Sequence, residues 1–173
     1  MNEKILELKN EGIMNKLNEA ENIIKYLNFK LGDENYAIPL SLVKEVVAPL
    51  PLTVVPNYPQ YYKGIIDLRG QIIPILDLKL KMKINKSTLS QNETAFIIVN
   101  IENNPFGLVT DSVDCVTEFK QSEINEPPAN IESGKVEYIN GIVKHNNILV
   151  LTLNINNLIK MNQNSGSLKP AAA

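Results

Sequence analysis

Beyond about residue 25 the chain alternates apolar and polar positions in short runs separated by turn-forming residues, the period of strands rather than of helices. Residues 26–31 and 36–39 flank the turn-rich Gly32-Asp33-Glu34-Asn35 and predict a hairpin. Ser41 is placed to cap a short helical turn over 42–45, with Val46 and Val47 extending from it before Pro49 and Pro51 stop regular structure. Pro56 and Pro59 punctuate a loop that carries Tyr58, Tyr61 and Tyr62. Residues 64–78 then read as two apolar strands around Leu68-Arg69-Gly70, closed by Asp77. The alternation Lys79-Leu80-Lys81-Met82-Lys83 suits a strand end showing its lysines to solvent, and the polar stretch 84–93 reads as a mobile loop. A second pair, 94–101 and 105–110, turns at Glu102-Asn103-Asn104, and a strand over 113–119 follows. Residues 120–135, with Pro127-Pro128, read as loop. A last hairpin, 138–143 with 148–153, turns around Lys144-His145-Asn146-Asn147, and Asn154 is placed to cap a helix over 155–161.

About nine short strands, with turn signals about every ten residues and little helix between them, indicate an all-β protein of antiparallel barrels. Strands so few and short do not make one large ligand-holding barrel; two small barrels side by side fit better. Before residue 25 the period differs. Ile5, Leu8, Ile13, Leu17, Ala20 and Ile24 follow a helical stripe that Gly12 interrupts, which describes a helical extension or a frayed arm. The expected organisation is therefore an arm over 1–24, a domain over 25–160 and a flexible tail over 161–173, whose Ser/Gly/Pro/Ala end resembles a linker.

Composition narrows the function. The apolar fraction of 44% supports a sizeable core, and a net charge of -2 with no basic stripe argues against nucleic-acid binding. Cys115 is the only cysteine, so no internal disulfide or cysteine-rich zinc site is available; a thiol in an apolar stretch reads as a small core residue. No run approaches the roughly 18 apolar residues of a membrane span, and no secretion signal stands at the start, so a soluble cytoplasmic protein without membrane insertion is expected. The only histidine, His145, lies among turn residues with no nucleophile or orienting carboxylate nearby and reads as a solvated loop residue. Asp67, Asp77, Asp111 and Asp114 sit at or beside strand ends, where a carboxylate or hard-metal site can assemble, but aspartate there also serves turns. The weight falls on no catalytic residue, no metal site and no cofactor.

Arg69 stands out differently. It is the only arginine among 17 basic residues, at the tip of an apolar hairpin. Its planar fork of donors does what a lysine ammonium cannot. It serves either an ion pair within the hairpin or acceptors on a partner.

The run Gly64-Ile65-Ile66-Asp67-Leu68-Arg69-Gly70-Gln71-Ile72-Ile73-Pro74-Ile75-Leu76-Asp77-Leu78 closely resembles the Gly-x-x-Asn-Leu-Arg-Gly-x-Ile-x-Pro-x-x-Asp-Leu signature of the CheW-like family, adaptors of bacterial chemotaxis. Residues 31–39 resemble the family's first hairpin, Val43-Lys44-Glu45-Val46 its Val-x-Glu-Ile, residues 106–113 its Gly-x-x-Val-Asp-x-Val, and Glu137-Tyr138-Ile139-Asn140-Gly141 its closing Glu-Tyr-x-x-Gly. The resemblance covers roughly residues 25–160. Two features depart from it: Asp67 replaces the usual Asn, adding a carboxylate able to pair with Arg69, and the N-terminal arm has no counterpart.

The resemblance implies two five-stranded, SH3-like barrels around a shared hydrophobic core, with short helices. It implies a non-enzymatic adaptor that couples the cytoplasmic tips of methyl-accepting chemoreceptors to the histidine kinase CheA, whose regulatory domain shares the fold, and that is recruited to membrane-associated receptor arrays. Barrel ends of adaptor and kinase dock alternately, and the receptor hairpin lies between the barrels. Carried over by motif, Val43, Glu45 and Gly64 match kinase-facing positions and Arg69 matches the arginine tied to receptor coupling. Ala95, Phe96, Val113 and Val116 fall where the family lines the receptor groove. The same module occurs in CheA and in CheV; with a short tail and no kinase or receiver sequence, the stand-alone form is expected. The alternatives are a paralogue regulating a kinase in a non-chemotaxis pathway and a carboxylate-based metal protein.

Overall fold

A computed structural model describes residues 22–84, 94–128, 131 and 134–160. The expected arm up to residue 21, most of the polar stretch 84–93 and the tail from 161 lie outside the described residues. The chain runs through β1 (Ile23–Leu31), β2 (Glu34–Pro39), a 3-10 turn (Leu40–Leu42), β3 (Val43–Val47), β4 (Tyr62–Leu68), β5 (Gln71–Asp77), α1 (Leu78–Lys81), β6 (Ala95–Ile101), β7 (Asn104–Thr110), β8 (Ser112–Lys120), 3-10 turns Gln121–Glu123 and Val136–Tyr138, β9 (Ile139–His145), β10 (Ile148–Leu153) and α2 (Ile155–Ile159).

These strands form two five-stranded sheets, ordered β8-β1-β2-β10-β9 and β3-β6-β7-β5-β4. The orders are the same motif written twice. Each sheet has two antiparallel hairpins joined by one parallel pair, β10 with β2 in the first and β5 with β7 in the second. The second sheet is continuous in sequence, whereas the first begins with β1–β2 and is completed by β8–β10. The segment after each edge strand, β3 in the second sheet and β8 in the first, makes an isolated two-bond bridge to the opposite edge strand, β4 or β9, without closing the sheet into a full barrel. Thr53 and Ile65 exchange backbone hydrogen bonds at 2.9 Å, and Asn125 and Ile142 do so at 2.8 Å.

Three hairpins turn through two residues that both have positive φ: Arg69-Gly70 (56° and 83°), Glu102-Asn103 (50° and 65°) and Asn146-Asn147 (49° and 65°). That is the backbone of a type I′ turn, whose twist matches that of the strands it joins.

Burial explains the near-continuous apolar runs. Successive residues of one strand serve different cores: Tyr36 and Ile38 face a core shared by both sheets, while Ala37 between them packs with Tyr26, Phe119, Val143 and Val150 inside the first. In β6, Ile97 and Val99 enter the shared core, and Phe96 and Ile98 pack with Ile66, Ile73 and Ile75 inside the second. A strand buried on both faces has no polar alternation to display.

Four expectations need correction. The helical turn expected over 42–45 is a 3-10 turn that starts two residues earlier, at Leu40, with Pro39 before it, and 43–47 is a strand that pairs with β6. Ladder pairing overrides the weak preference for a capped turn. The lysine alternation at 79–83 is helical in part, and Lys81 is buried. Asp77 explains this, because its Oδ1 accepts from Leu80 N at 3.1 Å and caps α1. Cys115 is exposed on β8 rather than in the core, since the register of β1 and β8 shifts there. His145 ends β9 half-buried, its ring edge-on to Phe119 at 5.6 Å.

An ion pair crosses between the sheets. Asp111, where the chain passes from β7 to β8, takes Gly32 N at 2.7 Å and Lys79 Nζ at 2.5 Å, and its own N–H donates to Lys30 O at 3.0 Å. One carboxylate thus joins the β1–β2 turn of the first sheet to α1 of the second.

Candidate functional site

The sequence singled out the β4–β5 hairpin, and the structure gives it a partner. Arg69 points two nitrogens at Glu45 on β3, Nη2 to Oε2 at 3.0 Å and Nη1 to Oε1 at 3.2 Å, in the side-by-side arrangement of a guanidinium on a carboxylate. Beside them Lys44 Nζ donates to Gln71 Oε1 at 3.1 Å. These contacts tie the hairpin tip to the edge strand β3. Arg69 remains 77% exposed at its side chain, against 21% for Glu45, so the guanidinium faces solvent while the carboxylate beneath it is largely covered.

Asp67 does not capture Arg69. Its Oδ1 accepts from Gly70 N at 2.7 Å, holding the turn from below. This is the ordinary use of an aspartate two residues before such a turn, and it leaves Arg69 free to reach Glu45. Asp67→Asn keeps an acceptor for Gly70 N, so the expected result is a melting temperature within a few degrees of the parent, which thermal denaturation by circular dichroism checks. A large loss would mean that the charge itself holds the turn.

The residues carried over by family motif fall into different environments. Val43 is half-buried and packs on the shared core. Gly64 is buried with φ at 139°, and a Cβ there would overlap the Thr53 carbonyl oxygen and lie 3.2 Å from Val54 Cα. It is the residue that lets the Thr53 segment approach β4 closely enough to bridge it. Phe96 faces the interior of that sheet, and Ala95 beside it is half-buried, its carbonyl taking the Thr110 hydroxyl at 3.2 Å. Val113 packs partly on the shared core, and Val116 is 48% exposed on β8. Thus Glu45 and Arg69 are brought together, while Val113 and Val116 stand on the other sheet.

The site residues carried over by motif leave out the apolar side chains that are open to solvent around the hairpin: Val46 beside Glu45 and Ile72 opposite Asp67 in the β4–β5 ladder, both at motif positions, and Val54 beside Gly64. Strand alternation was the available signal. In β5, Ile73 and Ile75 point inward, so Ile72 must point out. Exposed branched residues around a charged pair have the make-up of a docking surface with a charged element beside it.

The aspartates have structural partners. Asp77 caps α1 and lies 3.4 Å from Lys63, Asp111 is the cross-sheet clasp, and Asp114 takes the Ser112 hydroxyl at 3.4 Å. Among the described residues no group of three or more metal-binding side chains converges, and no helix is long and apolar enough to cross a membrane.

The CheW-like domain family matches residues 25–163. The chain is 32% identical over 135 residues to the chemotaxis protein CheW of Treponema pallidum, covering 76% of this chain and 79% of that one. It is 30% identical over 146 residues to the chemotaxis protein CheW of Helicobacter pylori, covering 84% and 87%. Among solved structures, the scaffolding protein TtCheW of Thermoanaerobacter tengcongensis superposes with a TM-score of 0.73 at 32% identity, over 80% of this chain and 89% of that one.

Proposed function

Because this chain belongs to the CheW-like family, we propose that it is a non-enzymatic chemotaxis adaptor coupling chemoreceptor tips to the regulatory domain of the kinase CheA. The observation that carries this reading is the Glu45–Arg69 pair. It sits on an exposed hairpin tip with apolar Val46, Val54 and Ile72 around the same end of the second sheet. Such a surface binds by covering apolar area beside a fixed charge, and no bond-making step is asked of it. The kinase-facing side is the β3 and β4–β5 end, with Glu45 at its centre and Val43 and Gly64 shaping it from within. The receptor-facing side combines Arg69 with the β8 residues Val113 and Val116 and with Ala95 at the start of β6, while Phe96 packs inward and supports that strand from behind. Recruitment to membrane-associated arrays follows from receptor binding, without insertion of this chain into the bilayer. The test is affinity for the regulatory domain of CheA from the same genome, measured by calorimetry, followed by kinase assays with receptor present. No binding by the intact protein would overturn the reading.

Arg69 itself supports a functional role. It has φ of 56°, a region costly for most residues other than Gly and less so for Asn, and the matching turn of the first sheet carries Asn146-Asn147. Arg69→Asn improves the turn and removes a solvent-exposed ion pair worth about 0–1 kcal/mol, so stability should stay within about 1 kcal/mol of the parent. Receptor-dependent kinase control should fall sharply. Arg69→Lys should also weaken that control, because lysine loses the planar fork. Normal control in a folded Arg69→Asn variant would leave Arg69 as a hairpin clamp only.

Ile72→Asp tests the apolar surface. The side chain is 58% exposed and points away from both cores, so the fold should persist while kinase affinity drops by about tenfold or more, the result of an unpaired charge in an apolar contact. Calorimetry with circular dichroism as the control checks both parts.

A further inference from the structure

The two sheets share one local construction beside their edge bridges. The Tyr61 carbonyl accepts from Asp77 N at 2.7 Å, and the Tyr138 carbonyl accepts from Asn154 N at 2.8 Å. Asp77 and Asn154 each cap a short helix through a 3.1 Å side-chain bond, to Leu80 N and Asn157 N. Tyr61 and Tyr138 each stand before the strand, β4 or β9, that carries a close-contact glycine and then the bridging isoleucine: Gly64 and Ile65, Gly141 and Ile142. At the matching helical position α2 has Leu158, fully buried, and α1 has Lys81.

Lys81 is 8% exposed. Its ammonium lies 4.1 Å from the ring centre of Tyr61 and 5.9 Å from that of Tyr138, one from each half of the repeat, and it donates to Lys160 O at 3.0 Å. Burial pulls its pKa down, and the nearby Glu137 opposes that pull. Leu158 demonstrates that the construction packs without a charge, so the buried ammonium has a use other than filling space. A cation between two aromatic faces interacts with both at once.

We infer that Lys81 is a positioning residue that locks the Tyr61 loop of the second sheet to the Tyr138 turn of the first, so that edge strands β4 and β9 are held in one arrangement. The lock itself does not depend on the adaptor reading. Its consequence for signalling rests on that reading, since Tyr61 leads directly into Gly64 and the Arg69 hairpin.

The test is a double-substitution cycle on thermal stability. Tyr61→Leu and Tyr138→Leu are made singly and together, in the parent and in a Lys81→Met background. The melting shifts should fail to add in the parent and should add in Lys81→Met, because the two rings then no longer share a cation. Lys81→Leu, copying Leu158, serves as a second background if Lys81→Met does not fold. Amide exchange of the folded Lys81 variant should show Ile65 and Ile142 losing protection together, although they belong to different sheets. Additive shifts in the parent, or loss of protection at only one of the two bridges, would overturn the inference. Kinase affinity is measured on the same variants: a broken lock with normal kinase binding separates this inference from the adaptor reading, and an intact lock in a chain that binds no kinase does so in the other direction.

Discussion

Gly64→Ala should destabilise the protein by about 3–5 kcal/mol, enough to unfold a marginal domain, and abolish partner binding through loss of fold. Two effects add. A φ of 139° belongs to glycine alone, and the new methyl would overlap the Thr53 carbonyl oxygen, which is backbone and cannot turn aside. The site where the strain falls is the Thr53–Ile65 bridge, so the segment after β3 would part from β4 and loosen the neighbouring Arg69 hairpin. Chemical denaturation gives the stability, and circular dichroism tells whether the chain folds at all. Gly70→Ala is the control: its φ is 83° but the space around it is open, so it should cost only about 1 kcal/mol. Gly141→Ala should fall between them, because its added carbon would meet Asn125 O at 2.8 Å and the movable Ile124 side chain. If Gly64→Ala folded normally yet failed to bind CheA, Gly64 would be a contact residue and its role in the bridge would be wrong.

Asp111→Ala should cost about 2–4 kcal/mol, the second largest loss expected. The alanine leaves the buried Gly32 N–H without its acceptor and Lys79 without its partner, and both sheets lose the contact together. Asp111→Asn separates the contributions. It still accepts from Gly32 N and loses only the charge opposite Lys79, which keeps some access to solvent, so about half the loss should return. Urea denaturation of the three proteins measures this. Equal losses in Ala and Asn variants would assign the whole effect to the ion pair. A negligible loss in both would mean that the shared core alone holds the sheets together.

The two predictions also separate two routes by which a residue matches a family motif. Gly64 lies in the same signature as Arg69, yet one is buried for close backbone approach and the other exposed on a turn. Phe96 and Val43 match groove and docking positions by motif, and both pack inward here. Val46, Val54 and Ile72, none of them among the site residues carried over, supply the open apolar surface, and Val46 and Ile72 do so from motif positions.

The amino-acid sequence by itself determined most of the strands and turns, though not β3 or the helical turn at 78–81. Short apolar runs with Gly, Pro and Asn between them act locally, and so does a capping Asn such as Asn154; the 64–78, 138–153 and 94–110 hairpins follow from neighbours in the chain. It also carried the CheW-like identity, because the signature is concentrated in one hairpin. Tertiary structure alone decided the rest. That β1–β2 joins β8–β10 and not the intervening strands is a matter of long-range pairing, which no local period encodes. The choice of Glu45 over the nearer Asp67 as partner of Arg69 depends on β3 curling beside the hairpin, while Asp67 is already engaged by Gly70 N. Lys81 reads as a surface lysine in sequence and is buried because two tyrosines, each placed by a different sheet, converge on it. Cys115 reads as core and is exposed because strand register, which sets the face of every side chain, shifts where it sits.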